Sequence, residues 1–433
     1  MLPGSGLHMD QAPPLDIPFR FFATSPFFLM LCGGVLLKEG GTLLQSPLQG
    51  EMVATAHLIT LGWIATTMFG AMYQMIPVLG GGPVPWPKGC RWVHLLLIVG
   101  VVSLVLEVGI HLHRWLLLVA SISLAGAMLL FIVPVSIALL RAPVRHPTLW
   151  AMRLAVLNLI AVLCMGLIFL GEYAHGFFAI DRHAMLGAHL VWGLFGWVGT
   201  LIVGVSFHVL PMFYMMPPFP RRRAYGILLG LATTWLLLPL LLLLRVPPLP
   251  AWLLWLAALP AVSAMLLYGQ TMFTLFRARK RKKGDLPLRL WQFAYLCGGL
   301  AIVLLLLWPV LAAEWLRYLF AVFFLFGCVS SIMMAMLYRI IPFLTWFHRY
   351  SQRAGQPGVP MMDDLTPKRM GYWPLWNQGL TLVLLLTAVA TGWDFALRLG
   401  GVTLILAGAM LWYLLYFALK TALPQQHGGK VLP

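Results

Sequence analysis

Apolar residues in this chain run almost unbroken for roughly 20 positions at a time, the length a helix needs to cross a bilayer core. Polar residues gather between the runs. The pattern predicts twelve helices: Phe19–Leu37, Met52–Leu79, Trp92–Leu112, Trp115–Leu140, Leu149–Leu170, Ala184–Phe213, Tyr225–Leu244, Ala251–Phe276, Leu290–Ala312, Tyr318–Phe347, Leu375–Thr391 and Phe395–Leu419. Little more than His113 and Arg114 separates the third from the fourth. Pro342 offers an earlier end to the tenth, with the remainder at the interface.

Composition leads to the same class. Hydrophobic residues make up 61% of the chain, charged ones 9%, and the mean hydropathy is +0.90, more oil than a soluble core needs. The fold class expected is an all-α polytopic membrane protein. A formal charge of +17 suggests nucleic acid only where basic residues cluster on an exposed domain, and here they sort by loop instead. Alternate loops hold just Lys38, Arg114, Arg182, Arg245, Arg317 and Arg398. The rest of the 29 basic residues lie at the termini and after helices 2, 4, 6, 8 and 10. That asymmetry places both termini in the cytoplasm of a cell in whose inner or plasma membrane the chain sits. The run from Arg277 to Lys283 and the triplet Arg221, Arg222 and Arg223 then read as topology signals touching anionic headgroups. Met1 to Ile17 is polar and proline-rich, so the first helix is expected to serve as its own insertion signal.

The most informative feature is an internal repeat. Laid over one another with shifts of 134 and 131 residues, helices 2, 6 and 10 match Gly62 with Gly196 and Gly327. The same alignment matches Gly70 with Gly204 and Ala335, Tyr73 with Phe207 and Tyr338, and Pro77 with Pro211 and Pro342. Helices 1, 5 and 9 follow with shifts of 132 and 133, which bring together Cys32, Cys164 and Cys297 in LMLCGG, AVLCMG and AYLCGG. The chain thus reads as one membrane domain of three pseudo-symmetric four-helix repeats, approximately 18–145, 146–285 and 286–433. Small residues eight apart lie within about 12 Å along a helix and permit close approach, so helices 2, 6 and 10 are expected to form an inner ring. The three prolines read as helix terminators near the cytoplasmic ends. Three residues before each stands Gln74, His208 or Arg339, a candidate polar ring on the inner face.

Candidate chemistry rests on histidine. Of the five cysteines, Cys32, Cys164, Cys297 and Cys328 fall inside predicted helices without metal-finger spacing, and no oxidised pair or disulfide framework is expected. The 23 methionines read as packing rather than as soft-metal ligands. His57, His111, His113, His175, His183 and His189 all fall at the extracytoplasmic face, with Glu107, Glu172 and Asp181 on the same side, and the third repeat adds none. Neutral imidazole ligates haem iron or copper, and a neighbouring carboxylate fixes its tautomer. His57 and His189, two turns deep on inner helices, are the cofactor-binding candidates. His111, His113, His175 and His183 are the further metal candidates, the first two read equally as headgroup-facing residues and the last two more readily as loop residues. Glu107, Glu172 and His208 are candidates for tuning ligand charge or passing protons, with a helix-packing hydrogen bond the alternative at His208. His8, His146, His348 and His427 read as cytoplasmic surface.

Twelve helices in three four-helix arcs resemble the catalytic subunit I of the haem-copper oxidase superfamily. AHLITLGWIATTMFGAMYQMIP, with His57, Gly62, Gly70 and Pro77 at their intervals, looks like the second helix of that superfamily's NnrS branch. SPFFLMLCGG, holding Pro26, Phe27 and Phe28, is similar to its first helix. The resemblance implies a haem- or copper-binding protein of nitric oxide response or metal handling, with b-type haem on His57, His189 as its partner ligand, and copper as a second cofactor. An extracytoplasmic electron donor, a partner subunit or a small gaseous ligand would go with it. Tyr225–Leu244 and Tyr318–Phe347 contain no histidine, so the oxidase binuclear centre does not carry over and ordinary oxygen reduction is not expected. His189 also superposes on Thr55 rather than on His57. A secondary transporter rocking on the inner glycines, with Arg339, His208 and Glu107 as working groups, is the alternative. A non-catalytic subunit is a third reading. The transporter leaves the one-sided histidines unexplained.

Overall fold

The computed structural model describes residues 9–142, 146–176, 181–244, 251–282, 284–311, 313 and 315–422. Among them there is no strand, and twelve helices are long and apolar enough to cross a membrane. They are α1 (Asp16–Leu44), α2 (Gly50–Gly80), α3 (Pro87–Ile110), α4 (Trp115–Arg141), α5 (Pro147–Ala174) and α6 (Arg182–Tyr214). There follow α7 (Arg221–Leu243), α8 (Trp252–Ala278), α9 (Leu286–Trp308), α10 (Trp315–Arg353), α11 (Lys368–Thr391) and α12 (Asp394–Thr421). Ile122, Leu129, Leu229, Leu236 and Leu266 stand exposed in mid-helix, while Thr66, Thr200, Ser206 and Thr381 are fully buried. That inversion suits hydrocarbon, where lipid is the apolar solvent and polar groups must find partners inside the protein. Trp92, Trp115, Trp252, Trp315 and Trp373 stand exposed at helix starts, the headgroup-level position that an amphipathic indole favours.

Pro342 does not end its helix, while Pro77 and Pro211 stand three residues short of the ends of theirs. Pro77 and Pro211 lie within helical backbone that continues to Gly80 and Tyr214, and the segment Ser331–Tyr350 runs straight through Pro342. Proline removes one hydrogen bond but keeps a helical φ, whereas stopping would orphan several carbonyls in an apolar medium. Continuing is the less costly course.

A feature with no counterpart in the expectations recurs in the three aligned helices. Leu58–Ala65 in α2, Val191–Gly199 in α6 and Val322–Ser330 in α10 are π-helical, and the shifts of 134 and 131 residues superpose them to within a residue. The aligned glycines Gly62, Gly196 and Gly327 lie inside them. One carbonyl at the same register is taken by a side chain each time. Thr66 Oγ1 donates to Leu61 O (3.0 Å), Thr200 Oγ1 to Phe195 O (3.2 Å), and Gln378 Nε2 to Phe326 O (2.5 Å). In the third case the hydroxyl aligned with the two threonines, Ser331 Oγ, is buried without a hydrogen-bond partner. The amide from α11 has replaced it. Wide turns of this sort persist where side chains satisfy the displaced backbone groups.

The helices sort into two compact units. The first comprises Met1–Pro13, Ala71–Ser103 and Leu112–Lys283; the second comprises Pro14–Gly70, Leu104–His111 and Gly284–Pro433. In the first, α5 packs on α6 with glycine at the contacts: a Cβ on Gly204 would stand 1.9 Å from Ala151 Cβ, and one on Gly196 would stand 2.4 Å from Asn158 Oδ1. In the second, α1 and α2 repeat the arrangement, with Gly70 against Phe21 Cβ and Gly62 against Phe28 Cγ. Asn158 and Ala151 each lie 130 residues after Phe28 and Phe21, so packing register differs by two residues from the cysteine alignment. Burial agrees, for Cys32 and Cys297 are buried and Cys164 is exposed. The second unit closes where α1 meets α12, with Gly33 and Gly401 each pressing on the other's carbonyl.

Candidate functional site

His57 is the last α-helical residue of α2 before its π-helical segment, and it is half-buried. Its Nδ1 lies 2.7 Å from the carbonyl of Val53, one turn earlier. A carbonyl only accepts, so Nδ1 carries the proton and donates, which leaves the lone pair on Nε2. The group that fixes this tautomer is thus the helix backbone, not the carboxylate expected from the sequence. Around it, α3 presses on the start of α2: a Cβ on Gly50 would stand 2.1 Å from Val108 O, and one on Gly109 would stand 2.9 Å from Ala54 Cβ.

His189 stands two residues before the π-helical segment of α6 and also half-buried. Its ring lies edge-on to Phe169 with centroids 5.7 Å apart, and Cε1 is 3.8 Å from where a Cβ on Gly166 would stand. His57 belongs to the second compact unit and His189 to the first.

The remaining candidates sit at helix ends. His111, at φ 51°, terminates α3 in the left-handed region and donates its N–H to Glu107 O (2.8 Å). The four-residue spacing of Glu107 and His111 is therefore that of a helix cap, and histidine is among the residues that tolerate this conformation. Glu107 itself is buried. His113 is exposed, with its ring near Trp115. His183 is exposed, and its N–H donates to Asp181 Oδ1 (2.9 Å), which caps α6. His175 closes the helix that forms α5, and its side chain, like His8 and His427, lies outside the described residues. Glu172 is buried and takes Arg182 Nε at 2.7 Å. Among the described residues no three His, Cys, Asp or Glu side chains come together in a group able to hold a metal ion.

The three polar positions before the prolines meet different fates. Gln74 is buried, and its Oε1 has no hydrogen-bond partner. Arg339 is buried and ion-paired with Asp285, which also caps the start of α9 through Leu288 N. A guanidinium held in this way anchors α9 on α10 and has its charge balanced inside the packing. His208 lies edge-on to His146 with centroids 5.3 Å apart. His146 is not the surface residue expected. Half-buried at the start of α5, it accepts the Thr148 N–H on Nδ1 (3.2 Å) and so carries its proton on Nε2. Burial, and after it the charge of Arg221, holds its imidazole below the usual histidine range.

Sequence reasoning missed Val53, Asp285, Gln378 and the His146–His208 pair. The i−4 carbonyl available to His57 is the one partner a helical reading of the sequence alone contains. No protein-family model matches the chain, and no curated protein matches it.

Proposed function

We propose that this multi-pass membrane protein binds b-type haem, with His57 Nε2 as an axial ligand to the iron, in the service of nitric oxide response or of redox and metal handling. One observation carries the reading: the 2.7 Å contact between Nδ1 and Val53 O, which orients the ring and leaves the lone pair on Nε2. Histidine ligands characteristically donate their other nitrogen to a carbonyl or carboxylate, since this fixes the tautomer and raises basicity. His57 fits a haem ligand in this respect. A copper centre built from three or more side chains has no such support among the described residues. Haem, once bound, would supply an iron able to take a small gaseous ligand or pass an electron. The chain's own part is to hold one imidazole in a fixed tautomer within an apolar helix packing. With the basic loops inside, His57 lies toward the extracytoplasmic face and both termini are cytoplasmic.

The test is optical. Protein purified after expression with haem supplied should show a Soret band, and His57→Ala should lose or shift it. A spectrum without the band, or a variant whose reduced-minus-oxidised spectrum is unchanged, would remove the assignment. Helical content of the variant by circular dichroism separates lost ligation from lost folding.

A further inference from the structure

Cys297 of α9 and Cys328 of α10 face each other where their helices cross. A Cβ on Gly327 would stand 2.9 Å from Cys297 Sγ, and a Cβ on Gly298 would stand 3.1 Å from Cys328 Sγ. Each sulfur therefore occupies the space opened by the glycine beside the other cysteine. Both are free thiols, Cys297 buried and Cys328 half-buried. Leu382 of α11, whose Cδ1 is 3.3 Å from the Gly327 position, adds an apolar wall. A spacing of 31 residues concealed the pair in the sequence.

We infer that Cys297 and Cys328 form a two-coordinate site for a soft divalent d10 cation of the Hg(II) type. Thiolate sulfur selects soft metals. No group of three or more His, Cys, Asp and Glu is assembled among the described residues, so the two sulfurs stand as a pair and not as part of a four-ligand zinc set. Charge then chooses among the soft cations. A divalent ion displaces one proton from each thiol and forms two metal–sulfur bonds, leaving a neutral complex and two released protons. A monovalent ion such as Cu(I) with the same two thiolates would leave a net negative charge among apolar helices, where uncompensated charge is costly. The inference is independent of the haem reading, since no histidine takes part.

The experiment uses the full chain in detergent with Cys32, Cys90 and Cys164 replaced by serine, so that the pair is the only thiol source. Mercuric chloride is added, a monothiol competitor removes singly held metal, and retained mercury is measured with the thiolate-to-metal absorption. One mercury per chain is expected, with X-ray absorption showing two sulfur neighbours, and Cys297→Ser or Cys328→Ser should each lose it. Two metals per chain, a single sulfur neighbour, or retention undiminished in either variant would overturn the site. The X-ray absorption readout needs neither substitution and so stands even where one of them fails to fold. Cu(I) offered under the same competition should not be retained, and retention equal to that of mercury would overturn the choice of a divalent ion.

Discussion

At the scale of single residues, the space available to a missing Cβ separates glycines that hold helices together from those that do not. Gly204 has none, since its Cβ would fall 1.9 Å from that of Ala151. Gly204→Ala is therefore expected to force α5 and α6 apart and lower stability by about 1–3 kcal/mol, as overpacking does. Gly226 has nothing within 4 Å, and Gly226→Ala should stabilise α7 by up to about 1 kcal/mol through helix propensity. Thermal midpoints of the two variants in detergent test the pair, and equal midpoints would contradict the close packing. The third repeat carries a Cβ natively at the aligned position, Ala335, and buries it completely. Spacing alone marked Gly62, Gly196 and Gly327 for close approach, because a helix brings a fixed interval onto one side. What each meets is Phe28, Asn158 or Cys297, and those partners depend on how neighbouring helices slide.

At the scale of elements, the π-helical segments are held by a few side chains, and removing these should show. Thr66→Val deprives Leu61 O of its hydroxyl donor and is expected to cost about 1 kcal/mol. Thr200→Val should cost more, because Thr200 Oγ1 also accepts from Trp235 Nε1 at 2.9 Å. Ser331→Ala, at the aligned third position, should be close to neutral, for its hydroxyl has no hydrogen-bond partner and Gln378 serves Phe326 O instead. Midpoints in that order would support the assignment, whereas a large loss at Ser331→Ala would count against it. The threonines are visible in the sequence, but the widened turn is not. It arises from a balance between intrahelical bonding and donors reaching in, and in the third repeat the donor comes from another helix.

At the scale of the whole molecule, the sorting of basic residues makes a prediction about orientation. A reporter inserted after α8, beside Arg281 and Lys282, should be cytoplasmic, and one inserted between α3 and α4, beside Arg114, should be extracytoplasmic. Reversed signals would invert the side assigned to His57. The number and approximate limits of the spans were legible from the sequence alone, because an unsatisfied backbone in hydrocarbon forces every crossing to be a long apolar helix, a property of contiguous residues. Only the tertiary structure decided that α10 runs through Pro342, that Asp285 neutralises Arg339, that His146 lies against His208, and that Cys297 meets Cys328. Those outcomes turn on distances between residues remote in sequence and on which polar groups find partners inside the packed helices. Apolar run length carries no information about either.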